Sequence, residues 1–242
     1  MRADAVELRV STTVVGVEAD ALVMGVTRGT VGAAGDGWMW LHTDAGSVHV
    51  CGPRGPRSPV TVVAASVPAP VIGEEVIVDM AHAVCTVPPA LPVATRMDVI
   101  DTCCRAVAPF GSDDPGVRCL ATAPVDPATV IGLLGHGAGL TPAGDDAVCG
   151  YLAAQFAINP TAGGDVGRRV LGHLDRTGEP SASLVRAAAQ TGRIFTAGMV
   201  LLGSLLAGDH AALPAQVRQL ATLGQSTGRA MISGIVAGLA NR

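Results

Sequence analysis

Up to about residue 90 the chain alternates hydrophobic and polar positions over short distances. Residues 6–17, 21–26, 38–42, 47–51, 60–65 and 75–78 are β-rich runs separated by Gly, Pro and Asp. They predict a small, mostly antiparallel β domain over residues 1–90. The Pro-rich segment 87–92 breaks regular structure and is expected to act as a stiff linker at the domain boundary. Beyond it the period lengthens. Residues 98–108 and 126–134 carry apolar positions at helical spacing. From residue 142 onward helices dominate, over 142–157, 166–175, 181–190, 194–207, 213–223 and 227–240, with Gly178, Gly192, Gly208 and Gly224 among the breaks between them. The expected fold class is α+β: an N-terminal small antiparallel β domain, then a C-terminal α-helical bundle domain over residues 91–242.

Composition narrows the classes. At 49% hydrophobic and 15% charged the chain is globular, and with only 2% aromatics its core must be built from Ala, Val, Leu and Ile, the 31 glycines allowing close backbone approach. All sixteen basic residues are Arg, so a Schiff-base or P-loop lysine is excluded. A net charge of −4 without a basic run argues against nucleic acid as a partner. Met1 to Glu7 carries acids and lacks the continuous apolar core of a secretory signal, and the uncharged stretch 194–208 is short and broken by Gly, Ser and Thr. A cytoplasmic protein with no membrane span is expected. Cys51, Cys85, Cys103, Cys104, Cys119 and Cys149 form no CxxC pair and read as reduced, core-filling thiols. His42, His49, His82, His173 and His210 are scattered singly and suggest no metal site, while Trp38 and Trp40 alternate as large core or interface residues.

The densest chemistry lies in Gly135-His136-Gly137-Ala138-Gly139-Leu140-Thr141-Pro142-Ala143-Gly144-Asp145-Asp146. Three alternating glycines permit positive φ and close approach to a ligand, and Thr141-Pro142 has the form of an N-cap followed by proline at the first helical position. A glycine loop therefore feeds a helix whose N–H groups and positive end suit an anion. Asp145 and Asp146 in the same first turns would repel a bare phosphate. Two resolutions remain open: Mg²⁺ bridging a carboxylate to a phosphorylated or carboxylated ligand, or recognition of an amide or amine by the aspartates. A third reading is pure capping, with the acids complementing the helix dipole. Gly135, Gly137, Gly139, Leu140, Thr141 and Gly144 are the binding candidates here. Asp145, Asp146 and the loop residue His136 are the catalytic candidates, and the two aspartates are also the metal-ligand candidates.

Two further turns open helices in the same style. Gly224-Gln225-Ser226-Thr227-Gly228 matches the G-x-S-x-G elbow of serine hydrolases, but that elbow needs a preceding strand and a later acid and histidine; the last histidine is His210 and only fourteen residues follow Gly228. The better reading is a glycine-flanked helix start, with Ser226 or Thr227 as cap and donors for an anion, so Gly224, Ser226, Thr227 and Gly228 join the binding candidates. Thr177-Gly178-Glu179-Pro180-Ser181-Ala182-Ser183 is the third such turn, contributing Thr177, Ser181 and Ser183; Arg186 or Arg193 could add charge for a carboxylate or phosphate. A bundle can aim several helix N-termini at one pocket.

These segments resemble a known family. Gly135 to Asp146 is similar to the G-x-G-x-G-L-T-P-x-G-D-D signature of the AllH-like proteins, linked to oxamate carbamoyltransferase. Thr177 to Gly192 resembles the family's Thr/Ser turn and its Leu, Ala and Gly helix, and Gly224 to Gly234 resembles its glycine, paired-hydroxyl, glycine segment. Gln225 stands where the family is associated with histidine, and Ala230 where an acid is common. Over residues 1–90 only a similar layout of short strands is recognisable. The resemblance implies a carbamoyltransferase subunit working with companion subunits, one of them FdrA-like, in phosphorolysis of oxalurate to oxamate and carbamoyl phosphate within allantoin and purine-nitrogen catabolism. The implied partners are a small carboxylate- or phosphate-bearing substrate, those companions and a second copy of the chain. The alternatives are a metabolite-binding or structural subunit without turnover, and a paralogue acting on another carbamoyl or acyl compound.

Overall fold

A computed structural model describes residues 12–16, 26–67, 69, 71–79, 84–86, 90–121 and 125–241. The expected strand 21–26 lies outside them except for Val26, as do residues 6–11 and 17 of the first expected strand and residues 87–89 of the expected linker. The chain forms two compact units, residues 1–87 and 88–242. The fold class is α+β.

The first unit holds one mixed sheet. Its strands are β1 (Thr12–Gly16), β2 (Val26–Gly35), β3 (Trp38–Thr43), β4 (Gly46–Cys51), β5 (Thr61–Ala64), β6 (Glu75–Asp79) and β7 (Val84–Thr86), in the spatial order β6-β2-β3-β4-β5-β1-β7. The pairings β1·β5, β2·β3, β2·β6 and β3·β4 are antiparallel, whereas β4·β5 and β1·β7 are parallel. The sheet is thus mostly antiparallel, as expected, with four antiparallel pairings and two parallel ones, β4·β5 beside its central strand and β1·β7 at its edge. Alternation puts Met39 and Leu41, Val48 and Val50, Val62 and Ala64, and Val76 and Val78 into one buried core. On the opposite face Trp40 lies 5.1 Å from the ring of His49. Burial lowers the His49 pKa to about 4, so this imidazole is an uncharged packing group at neutral pH.

Strand β2 is the element that the residue pattern hides. A Cβ on Gly32 would lie 2.0 Å from the His42 ring, and one on Gly35 would lie 2.4 Å from the Trp38 indole. The glycines clear space for aromatic side chains of β3, which is why a ten-residue strand reads as a loop.

The second unit is helical: α1 (Met97–Val107), α2 (Pro115–Arg118), α3 (Pro127–Gly132), α4 (Ala143–Ile158), α5 (Pro160–Leu171), α6 (Glu179–Thr191), α7 (Thr196–Ala207), α8 (Leu213–Ala221) and α9 (Thr227–Ala240). Helix α4 is central, every residue from Ala143 to Gln155 being buried, and it reads as apolar all round because neighbours cover every side. Helices α6 and α9 both run parallel to it. The first turn of α6 meets the first turn of α4 through Ser181 and Asp145, and Gly192 after α6 packs on Phe156 near the α4 C-terminus. Along α9, Cβ atoms on Gly234 and Gly238 would come within 1.9 Å of the Ala147 carbonyl and 2.6 Å of the Tyr151 carbonyl. On α4, one on Gly150 would come within 2.4 Å of the Met231 carbonyl. This seam is backbone against backbone. Three N-termini thus share one end of the unit. At the opposite end Gln155 Nε2 donates to the carbonyls of Gly238 (2.7 Å) and Asn241 (2.6 Å).

Candidate functional site

The loop before α4 takes the left-handed backbone that its glycines predict, with φ of 75° at Gly135, 113° at Gly137 and 98° at Gly139. Residues 136–140 are exposed, Leu140 at 42%. A Cβ on Gly139 would meet nothing within 4 Å, whereas one on Gly144 would strike the Leu133 carbonyl at 2.0 Å. Gly139 thus borders open space, and Gly144 lets the first turn of α4 sit against the preceding segment.

The expected caps are redistributed. Helix α4 starts at Ala143 with Pro142 in the capping position and no side-chain cap. The Thr141 hydroxyl instead lies 3.3 Å from that of Thr227. Helix α6 is entered from Gly178 and α9 from Ser226, neither with a side-chain cap bond. Of the first-turn amides, that of Gly144 donates to the His136 carbonyl, that of Asp145 to the Pro142 carbonyl and that of Gly228 to the Leu223 carbonyl, so these three are not free for a ligand. Gly228 itself is packed shut, since a Cβ there would fall 1.7 Å from the Leu220 carbonyl. Its glycine serves helix packing and not approach of a ligand.

Asp145, 1% exposed, joins three segments. Its Oδ1 accepts from Gly135 N at 2.8 Å; its Oδ2 accepts from the hydroxyls of Ser181 (2.7 Å) and Thr177. The carboxyl ties the glycine loop and the α6 turn to α4. Ser183 is buried further along α6.

Asp146, 2% exposed, is set differently. The Thr227 hydroxyl bonds its carboxyl, which therefore lies where α4 and α9 begin. Its Oδ2 is buried without a hydrogen-bond partner among the described residues. Burial pushes this carboxyl well above the ordinary carboxylate range, the Asp145 charge acts in the same direction, and the Thr227 bond opposes them. Burial thus favours the protonated form of Asp146 over the carboxylate. Gly224 (φ 59°) turns the chain so that the Thr227 side chain packs against it.

His136 lies on the exposed loop with Nε2 2.8 Å from Asp114 Oδ1. The His136 bond holds the Asp114 carboxyl below its usual range; burial opposes it, and the amides of Val117 and Gly116 add to it. Asp114 was not among the sequence candidates. Its signal is the Asp114-Pro115 pair, a capping residue followed by proline at the start of α2. Arg193 Nη1 is another buried atom without a partner, in the turn after α6, away from the shared N-termini.

Both oxygens of Asp145 are taken up by donors within the fold, and no group of three His, Cys, Asp or Glu among the described residues could hold a metal ion. Among the described residues no helix is long and apolar enough to cross a membrane. None of Cys51, Cys103, Cys104, Cys119 and Cys149 forms a disulfide, and all but Cys119 are buried.

Residues 133–239 match the family model described as oxamate carbamoyltransferase subunit AllH. The match spans the glycine loop, the Thr177 turn and the Gly224 turn, the three segments that converge on Asp145, Asp146 and Thr227. No curated protein and no solved structure gave a match.

Proposed function

We propose that this chain is a subunit of a carbamoyltransferase of the oxamate and oxalurate type, and that the shared N-terminal end of α4, α6 and α9 holds the phosphate or carbamoyl group. The observation that carries this reading is the buried, partnerless oxygen of Asp146 at the place where the AllH-matched segments meet. Buried polar atoms are almost always bonded, so an unbonded one calls for a cause, and at this meeting of matched segments a bound ligand supplies it. In the proposed reaction the C–N bond of the oxalurate ureido group breaks, phosphate oxygen bonds to the carbamoyl carbon, and oxamate nitrogen takes up the proton. Such a transfer needs positioning and stabilisation of negative oxygen more than a strong acid or base. Three parallel helix dipoles directed at one end supply that field. His136, oriented by Asp114, stands on the adjoining loop as the proton-handling group. An FdrA-like companion and other subunits complete the assembly in this reading.

The test is phosphorolysis of oxalurate by the purified chain, alone and with companion subunits encoded nearby, following carbamoyl phosphate. Turnover that needs this chain supports the proposal; turnover by the companions alone overturns it. One observation favours a second reading, a metabolite-binding subunit without turnover: the carboxyl of Asp145 and the amides of Gly135, His136 and Gly144 are bonded within the fold. Saturable binding of oxamate or phosphate without any dependence of turnover on the pocket would select it.

A further inference from the structure

We propose that Asp146 serves as a hydrogen-bond donor to an oxygen of the bound ligand, a phosphate, carboxylate or carbamoyl oxygen, while Asp145 is the latch that joins the glycine loop and the α6 turn to α4. The inference rests on the proposed site and changes its chemistry: the two aspartates, alike in sequence, divide into an acceptor spent on the protein and a donor offered to the ligand. Asp145 receives the Gly135 amide and the Ser181 and Thr177 hydroxyls, so it has little left for a ligand. Asp146 is buried to the same degree and is bonded by the Thr227 hydroxyl, yet its Oδ2 has no partner among the described residues. Asp145 and Cys149 on α4 and Thr227 on α9 are the groups that act on it, and none of them is a cation that would draw off its proton. A carboxyl retained as the acid presents O–H where a carboxylate would present charge. This removes the repulsion that two adjacent acids would exert on an anion at a helix start, without a metal ion.

The experiment uses the full chain and its Asp146→Asn and Asp146→Ala variants. Infrared difference spectra of parent against Asp146→Asn at pH 7 should show the carbonyl stretch of one protonated carboxylic acid, and titration of inorganic phosphate, oxamate and carbamoyl phosphate should show which is bound. Asn retains an uncharged donor, so Asp146→Asn should bind within about threefold of the parent, whereas Asp146→Ala should bind at least about tenfold more weakly, the loss of one hydrogen bond to a charged group. Parent affinity should fall as pH rises through the Asp146 titration, and that of Asp146→Asn should not. An ionised Asp146 at pH 7, equal loss in the Asn and Ala variants, or no binding of any of the three probes by the parent overturns the inference. If the acid signature and the Asn rescue hold but oxalurate is not phosphorolysed, the donor role stands and the oxalurate reading falls.

Discussion

The two flanks of the α4 N-terminus are made of the same residue types and end in opposite states. On the α6 flank, Asp145 gathers an amide and two hydroxyls and both its oxygens have partners. On the α9 flank, Asp146 receives one hydroxyl and keeps a buried oxygen without one. Successive helical residues point about 100° apart, so one carboxyl turns toward α6 and the other toward α9. A buried polar group costs several kcal/mol unless it is bonded, and the difference therefore separates a completed joint from a place left open.

The strongest way to break this comparison is Asp145→Ala. It strands the Gly135 amide and the Ser181 and Thr177 hydroxyls, and should lower stability by about 3–5 kcal/mol in urea unfolding at unchanged m. A loss below about 1 kcal/mol would show that Asp145 is no latch. Next comes a pair of glycines. Gly228→Ala forces a methyl into the Leu220 carbonyl and should cost about 3 kcal/mol, whereas Gly139→Ala enters open space and should cost only about 1 kcal/mol for its positive φ, read from the same unfolding curves. The reverse order would place the tight contact on the wrong flank.

A smaller effect comes from pH. A carboxyl whose folded pKa is raised stabilises the native state below the ordinary carboxylate range, and that contribution is lost as pH rises through the folded value. Parent stability should therefore decline relative to Asp146→Asn as pH rises above the ordinary carboxylate range, measured as the difference of unfolding midpoints; a difference that is flat or of opposite sign would mean that the fold does not raise the Asp146 pKa. The smallest effect is expected from Ser226→Ala, within about 0.5 kcal/mol because the hydroxyl makes no capping bond, against about 1 kcal/mol for a working cap.

Much of the helical unit was legible because its punctuation is local. Gly192 and Gly208 adopt the left-handed backbone that ends α6 and α7, and α9 spans residues 227–240 as its apolar period predicts. Helix α6 begins two residues earlier than expected, at Glu179, because Pro180 sits in its first turn and Ser181 is taken up by Asp145 instead of capping. Strand β2 was hidden because its glycines answer to rings on the neighbouring strand, a partner that no local pattern reveals. The same limit applies to the site. Which segments carry polar helix starts can be read from Gly, Ser, Thr and Asp; which carboxyl meets which hydroxyl depends on how α6 and α9 are placed around α4.

The glycine seam between α4 and α9 sets the mechanics of this end of the molecule. Where carbonyls approach a neighbour that has no side chain to yield, sliding one helix along the other would drive backbone into backbone, as the positions of Gly150, Gly234 and Gly238 show. The two helices move as a single stiff strut, and the Thr141–Thr227 gap of 3.3 Å acts as a fixed gauge. Gly137 of the preceding loop sits close to the Ala143 amide and so belongs with this strut, whereas Gly139 borders open space.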